Sequence, residues 1–170
     1  MSPKDPSDPA PLDFRRMVDL RLNAEGEWFH EAEPFENLKL IALFDRGLDL
    51  HPDTGEPILR VADKWCYLRC DDLPFVVRRF RTPIGLDGPG LLLIAELNTG
   101  EVVEVGETGL EIGANGVVYL EVDARRRARV CRAAQASLSE WLTDEDGLMA
   151  LRLGGRRLVF RVLTEGGATA

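Results

Sequence analysis

The sequence has few of the residues from which catalytic and metal centres are usually built. It contains three cysteines and two histidines among 170 residues, and neither type has the spacing of a zinc site. It also lacks a glycine-rich phosphate loop after a strand and a serine nucleophile elbow. Because these motifs are absent, no motif assigns the sequence to an enzyme class, although catalysis is not excluded. We predict neither a metal ion nor a cofactor.

Long apolar runs are also missing. No segment reaches the roughly 20 apolar residues that span a bilayer, and the first residues, MSPKDPSDPAP, lack the apolar core of a signal peptide. Three cysteines, an odd number without a spacing framework, fit a reducing compartment. We therefore expect a cytoplasmic protein without a membrane partner.

Positive charge is the minority sign. The chain has 21 lysines and arginines against 29 aspartates and glutamates, which gives a net charge of -8. This balance argues against general affinity for nucleic acids and against docking on anionic lipids. With 45% hydrophobic residues, the chain can bury a core as one domain or as two intimate lobes.

The N-terminal half predicts a β-hairpin followed by a helix. Apolar residues alternate at Val18, Leu20 and Leu22, which indicates a strand, and residues 27–30 return as its partner. A spacing of three and four predicts a core-facing helix over residues 34–46. The apolar stripe of this helix is Leu38, Ile41, Phe44 and Leu48.

Both ends of this helix have residues that suit helix termini. Pro34 fits the first helical position, where its missing N–H costs nothing. Gly47 is expected to end the helix in the left-handed conformation, with Leu48 folded back onto Leu43. The helix should therefore be well defined between these two residues.

The C-terminal half predicts a second amphipathic helix. Residues 106–116 carry four glycines and are predicted to be a loop with at most one bridge. A helix is predicted over residues 129–142 and is ended by residues 143–147. Its apolar stripe is Val130, Ala134, Leu138 and Trp141.

Strand and turn patterns fill the remaining sequence. Residues 82–90 are rich in turn formers and mark a seam between the halves, and Gly154-Gly155 predicts a hairpin turn. Strands are predicted over 58–61, 65–70, 75–81, 91–97, 101–105, 117–122, 148–153 and 157–162.

The two halves share one order of elements: a strand, an amphipathic helix and two strands. We therefore predict an α+β protein of two lobes with a repeated strand-helix-strand-strand motif, in which mostly antiparallel sheets are each packed by one helix. The lobes are predicted over 14–85 and 86–165, and strands within 75–105 bridge them. Residues 1–13 are predicted to be a disordered tail and residues 166–170 a flexible one.

Two short patterns connect the chain with a known family. One is Gly-x-Trp-x-His before the first helix and the other is Asp-x-Pro-Phe after a strand pair; their residues are Gly26, Trp28, His30, Asp72, Pro74 and Phe75. On these motifs the chain resembles the bacterial domain-of-unknown-function family 1285 over residues 18–162. The resemblance implies a two-lobed α+β fold with a repeated motif and a role in signalling, and it implies no particular reaction.

The densest positive cluster supplies the candidate ligand-binding residues, which with His30 are Arg125, Arg126, Arg127 and Arg129. If the second helix starts near Asp123, these arginines crowd a helix start, where the dipole disfavours positive charge. A bound anion would offset that charge, since backbone N–H groups and guanidinium forks together bind phosphate or carboxylate. Two alternatives stay open: carboxylates of the chain pair with the arginines, or the helix begins only at Ala128.

Other polar residues have a structural interpretation beside a functional one. His30 with Glu31 is either an acid/base pair or a strand end with one structural hydrogen bond. Cys66 and Cys70 lie about 13 Å apart if one strand holds both, so they are predicted to be small buried residues. The acidic pair Asp71 and Asp72 either binds a divalent cation or opens a turn.

These observations favour a non-catalytic binding or regulatory module in bacterial signalling. Its expected partner is another protein or a small anionic ligand, rather than nucleic acid or membrane. The alternative is an enzyme of unknown class, of hydrolase type, that uses His30 with a carboxylate. A homo-oligomer formed through exposed edge strands is a third hypothesis.

Overall fold

The computed structural model describes residues 13–83, 92–145 and 147–163. Most of the predicted turn segment 82–90, the predicted N-terminal tail except for its last residue, and the whole tail 166–170 lie outside these ranges. Within them the chain is mainly β-structure in several sheets with two short α-helices, which agrees with the predicted α+β class at the coarse level.

The described chain begins with a 3-10 turn, Phe14–Arg16, and continues into the predicted hairpin. Strand β1 (Leu20–Leu22) pairs antiparallel with β2 (Trp28–His30), and β3 (Glu33–Pro34) extends the sheet beyond β2. Helix α1 (Leu38–Arg46) follows, and the side chain of Asn37 caps it by accepting N–H groups of the first turn. The hairpin is confirmed, and α1 begins four residues later than predicted.

The predicted helix start at Pro34 is wrong. Pro34 lies in β3 at the edge of the sheet, where its missing N–H breaks no ladder. Leu38, the first helical residue, is 79% exposed, whereas Ile41 and Phe44 are half-buried against the core. The core-facing stripe is therefore narrower than the spacing predicts.

Gly47 ends α1 as predicted, but its predicted left-handed conformation is wrong. Its φ is -89°, outside the left-handed region, and Leu48 opens strand β4 (Leu48–Leu50) instead of folding back. A glycine is needed here because a Cβ at residue 47 would lie 2.3 Å from the carbonyl oxygen of Arg60. The amide of Arg60 donates to the carbonyl of Gly47 at 2.8 Å, so the two backbones are held in close contact.

Three strands follow β4. β5 (Pro57–Val61) and β6 (Lys64–Tyr67) complete an antiparallel sheet with it. The strand predicted over residues 65–70 is interrupted at Leu68, and its end is a separate strand, β7 (Arg69–Cys70). Since β7 runs parallel to β1, the first sheet has the order β3-β2-β1-β7.

The middle of the chain supplies an antiparallel run of β8 (Phe75–Arg81), β9 (Ile94–Leu97) and β10 (Val102–Glu104), as predicted. The loop predicted over residues 106–116 instead contains strand β11 (Leu110–Ile112). Leu110 is buried in the core, which favours a strand here. In the sequence, the glycines on both sides of this strand conceal its alternating pattern.

The predicted second helix is wrong at both ends. Strand β12 (Val118–Glu121) is present as predicted. Strand β13 (Arg127–Val130) follows it and contains the first two residues of the predicted helix. Helix α2 is limited to Arg132–Ser137, and a 3-10 turn, Leu138–Trp141, follows it. The stripe nonetheless faces one core, because Val130, Ala134 and Leu138 are buried in it and Trp141 packs partly buried against it.

The C-terminal strands are β14 (Leu142–Glu145), β15 (Leu148–Leu153), β16 (Arg156–Val159) and β17 (Arg161–Val162). The first three form an antiparallel sheet, which confirms the hairpin at Gly154-Gly155 and places most of the predicted turn 143–147 in β14. β17 runs parallel to β11. The largest sheet therefore has the order β10-β9-β8-β13-β12-β11-β17.

A parallel ladder between β8 and β13 joins the middle strands to the C-terminal ones. Phe75 lies opposite Ala128 and Val77 opposite Val130, and all four side chains are buried. Residues of both halves contribute to one hydrophobic core. Of the helices in the described ranges, none has the length and apolar character needed to cross a bilayer.

The close approach at Gly47 predicts a large effect of a small substitution. Gly47→Ala should lower the free energy of unfolding by about 1–3 kcal/mol, because β5 must move away from the new Cβ. Urea denaturation followed by circular dichroism measures this change. Gly106→Ala is the matched control, since a Cβ there meets nothing within 4 Å and should cost less than about 0.5 kcal/mol. Equal stability of the two variants would contradict the contact.

Candidate functional site

The arginine cluster does not start a helix. Residues 123–126 form the turn between β12 and β13, and the carboxylate of Asp123 accepts the backbone N–H groups of Arg125 and Arg126, both at 2.9 Å. These backbone bonds, together with the side chain of Arg126, hold the pKa of Asp123 below its ordinary value. The helix-dipole argument for a bound anion therefore does not apply here.

Arg126 is neutralised within the chain. Its two terminal amino groups donate to the carboxylate of Glu101 at 2.7 and 3.0 Å, and its Nε donates to Asp123 at 2.7 Å. These bonds raise the pKa of Arg126 further above its usual range. Arg125 extends elsewhere, to the carbonyl of Pro52 at 3.1 Å. Both side chains thus connect the turn to neighbouring loops.

Arg129 is the most buried arginine of the cluster. Its Nη1 lies 2.7 Å from Oδ2 of Asp72, and its Nη2 lies 3.8 Å from Glu25. The hydroxyl of Tyr119 donates to the same Asp72 oxygen at 3.0 Å. Burial, and then this hydrogen bond, raise the pKa of the Tyr119 phenol. Asp72 therefore binds side chains of both β12 and β13.

Arg127 lines a cavity. The cavity has a volume of about 350 Å³, and we call it the Arg127 pocket; its walls are Asp72, Leu73, Gly113, Ala114, Asn115, Tyr119, Arg127 and Leu163. The guanidinium of Arg127 lies 5.1 Å from the ring centre of Tyr119, and the side chain is 42% exposed. The pocket thus combines one guanidinium, one phenol and one carboxylate on a glycine-containing turn.

Glu111 faces two arginines at the back of this site. Its Oε2 lies 2.6 Å from Nη2 of Arg127, and its Oε1 lies 2.7 Å from Nη2 of Arg161. Arg127 and Glu111 thus form a close ion pair in which no N–H group of the described residues is well aligned with Oε2. The sequence pattern does not single out Glu111, because this residue falls in the predicted loop. The alternation of Leu110 and Ile112 around it is the signal that indicates a strand there.

His30 lies on a different sheet from Arg127 and Arg129. It is exposed at the end of β2, opposite Leu20 and Glu33, with its ring centre 6.4 Å from that of Phe35. Glu31 follows in a turn with φ of 48°. The structure thus brings Arg127 and Arg129 together at Asp72, and it places His30 on another sheet.

The remaining candidate pairs do not converge. Asp71 binds Arg21 through two bonds of 2.7 Å, whereas Asp72 faces Arg129. Cys66 and Cys70 belong to different strands, both thiols are free, and burial raises the pKa of Cys70 to about 12. Within the ranges that the structure describes, no three His, Cys, Asp or Glu side chains are grouped so as to hold a metal ion.

The first motif organises a polar contact under α1. Trp28 is buried, and its indole N–H donates to Asp45 at 2.8 Å; burial raises the pKa of Asp45, and this hydrogen bond opposes the rise. Gly26 has φ of 78°, and a Cβ there would lie 3.1 Å from the guanidinium of Arg78. Arg78 donates to the carbonyl of Gly26 at 2.7 Å. The motif glycine thus lets an arginine approach the hairpin turn.

The second motif forms a rigid entry to β8. Pro74 and Phe75 are buried, and the side chain of Asn98 donates to the carbonyl of Pro74 at 3.0 Å while accepting the amide of Val76 at 3.0 Å. These bonds fix the start of β8. Asp72, just before them, is thereby positioned towards Arg129.

Two solved structures have this fold. A DUF1285 family protein from Silicibacter pomeroyi matches with a TM-score of 0.62 at 24% sequence identity, over 87% of this chain and 81% of that one. A DUF1285 family protein from Shewanella baltica matches with a TM-score of 0.53 at 19% identity, over 72% of this chain and 91% of that one. No family model and no curated protein matches the sequence. The resemblance predicted from the two motifs is confirmed in the fold.

The Asp72–Arg129 pair predicts a measurable stability difference. Asp72→Asn leaves a guanidinium that is only 14% exposed without its nearest counter-charge, and we expect a loss of about 3 kcal/mol in the free energy of unfolding. Asp49→Asn is the control, because the pair of Asp49 with Arg60 is 3.6 Å long and about half exposed on both sides. It should cost less than about 1 kcal/mol. Urea denaturation would contradict the proposed burial effect if both variants lost the same amount.

Proposed function

We propose that this chain, which has the fold of DUF1285 proteins, is a non-catalytic binding or regulatory module in bacterial signalling that recognises a small anionic ligand in the Arg127 pocket. The observation that carries the proposal is the state of Arg127. Its guanidinium lines a cavity and is in contact with one carboxylate, at 2.6 Å from Nη2 to Glu111, so its other N–H donors have no partner within the described residues. A carboxylate or phosphate matches the free part of this guanidinium fork.

The other walls of the pocket define the ligand further. Asp72 uses Oδ2 for Tyr119 and Arg129, so its second oxygen is available to accept a hydrogen bond. The ligand should therefore carry an anionic group for Arg127 and a hydrogen-bond donor for Asp72. Glu111 limits the net positive charge behind the pocket, which disfavours highly charged anions and favours a ligand with few charges.

The order of elements supports a second part of the proposal, that the chain is a duplication. The strands β3-β2-β1-β7 are related to one another by antiparallel, antiparallel and parallel pairing, and so are β13-β12-β11-β17. In each series, the strand that comes third in the sequence (β3 or β13) is followed by a helix, then by a three-stranded antiparallel sheet, and then by the last strand (β7 or β17). The repeated unit would thus be longer than the strand-helix-strand-strand motif predicted from the sequence.

Individual hydrogen bonds support the same duplication. The amide of Asp71 donates to the carbonyl of Leu22 at 3.0 Å, and the amide of Leu163 donates to that of Ile112 at 2.9 Å. Each bond lies at the same place in its unit, just beyond the parallel strand pair. The two hairpin turns match as well, with Gly26 at φ 78° and a second glycine, Gly116, at φ 75°.

The duplication explains why only the second unit would bind the anion. Strand pairing matches Phe29 to Tyr119 and Pro34 to Arg129. Ala32, two residues before Pro34, therefore takes the place that Arg127 has before Arg129. A cavity of about 740 Å³ lies at the corresponding place of the first unit and is lined by Phe29 and Ala32. Its arginines, Arg21 among them, already have aspartate partners. The first unit thus lacks a counterpart of the Arg127 guanidinium.

A thermal-shift screen of inorganic phosphate, mononucleotides and small carboxylates tests the proposal. A ligand at about 100 times its dissociation constant stabilises the folded state by about 2.7 kcal/mol, which corresponds to roughly 5–10 °C for a chain of this size. We expect such a shift to disappear in Arg127→Ala. Arg125→Ala is the matched control, because Arg125 contacts Pro52 outside the pocket, and it should keep the full shift.

Two outcomes would contradict the proposal. A shift that survives Arg127→Ala would place the anion elsewhere. A screen without any shift would exclude these ligand classes and favour a protein partner instead.

A further inference from the structure

Arg78 is a half-buried cation without an acidic partner. It donates to the backbone carbonyls of Glu25 at 2.9 Å and of Gly26 at 2.7 Å, and no carboxylate of the described residues lies within ion-pair distance of it. Its neighbours on β8, Arg79 and Arg81, both pair with Glu96. Arg78 is therefore the arginine of this strand without a direct carboxylate contact in the described part of the chain. Burial raises the pKa of Asp45, and the charge of Arg78 opposes this rise only at longer range.

A β-bulge directs this side chain. In the pairing of β8 with β9, Val77 lies opposite Leu97 and Arg79 opposite Glu96, so Arg78 is the extra residue between two consecutive partners. Bulges re-aim side chains and occur often beside binding sites. Here the extra residue brings the guanidinium to the β1–β2 turn, where Gly26 has no Cβ to obstruct it.

An apolar cavity of about 450 Å³ adjoins the guanidinium. Its walls include Trp28, Phe29, Pro34, Phe35, Ile41 and Arg78. This volume falls within the range of about 300–1,000 Å³ of small-molecule pockets, which are mostly apolar with a few placed polar groups. We call this cavity the Arg78 pocket.

We propose that the Arg78 pocket is a second ligand site, which takes a small hydrophobic monocarboxylate. The aromatic and aliphatic walls cover the apolar body of the ligand. Its carboxylate binds the N–H donors of Arg78 that the two backbone carbonyls leave unused, since a guanidinium has five such donors. The acidic groups nearby make no ion pair with Arg78: Glu27 accepts from Asn23 at 2.7 Å, and Asp45 accepts from Trp28 and interacts with Arg78 only at longer range.

This ligand class differs from that of the Arg127 pocket. A phosphate or a nucleotide needs several polar partners, whereas the Arg78 pocket offers one guanidinium among mostly apolar walls and includes the acidic Glu27, which disfavours a highly charged anion. An apolar molecule without charge would leave the donors of Arg78 unpaired. An acid of the phenylacetate type satisfies both requirements.

Titration of the ¹⁵N-labelled protein with phenylacetate tests the proposal, with the indole N–H of Trp28 as the reporter. We expect a dissociation constant below about 1 mM at pH 7, where phenylacetate is charged. Phenylacetamide, which has the same shape without the charge, should bind at least about tenfold more weakly, and Arg78→Gln should weaken phenylacetate by a similar factor. Arg79→Gln is the matched control, since Arg79 pairs with Glu96 and is 71% exposed.

Three results would overturn the proposal. They are the absence of shifts with phenylacetate, equal binding of the acid and the amide, and equal loss of binding in Arg78→Gln and Arg79→Gln. If Arg78→Gln does not fold, Ile41→Trp replaces it, because a larger side chain on α1 fills the cavity without removing the guanidinium. Phenylacetate shifts should then disappear, and their persistence would also overturn the proposal.

Discussion

Strands β8 and β13 run parallel through residues 75–77 and 128–130, and this ladder connects segments that are far apart in the sequence. Phe75, Val76, Val77, Ala128 and Val130 are at most 1% exposed. Water is therefore excluded from the backbone hydrogen bonds between them, and breaking the ladder would leave buried polar groups without partners. Everything that follows in the structure, including both pockets, requires these two strands to be held together.

The ladder also positions the charged side chains. Arg78 extends from β8, while Arg127 and Arg129 extend from β13 on the same side of the strand, two residues apart. A guanidinium keeps its charge at any ordinary pH, so each one that leaves water needs an anion or a set of carbonyls. Arg129 obtains Asp72 from the chain itself. Arg127 obtains one carboxylate and Arg78 obtains two carbonyls, and each keeps further N–H donors, which are the physical basis for proposing ligands for them.

Much of the local structure follows from the sequence, and the long-range structure does not. The alternation at Leu20 and Leu22, and the hairpin at Gly154-Gly155, reflect contacts between near neighbours, which periodicity detects. The stripe from Val130 to Trp141 marked buried positions correctly, but it could not distinguish a helix from a strand followed by a shorter helix. The choice between these two structures depends on β8, because β13 pairs parallel with it. This long-range pairing produces no periodicity in the sequence. The proposed sites show the same division: the sequence predicts Arg125, Arg126, Arg127, Arg129 and His30 as candidates, whereas the approach of Glu111 to Arg127 and the bulge at Arg78 depend on strand pairing.

Native-state amide hydrogen exchange, followed by NMR, tests the central role of the ladder most directly. The account predicts that the amides of residues 76, 77 and 129–131 are among the slowest to exchange, and that their exchange requires global unfolding, with the same free energy in β8 and β13. The account would be contradicted if the strands before β8 and those after β11 unfolded with two separate free energies while the ladder opened below both of them.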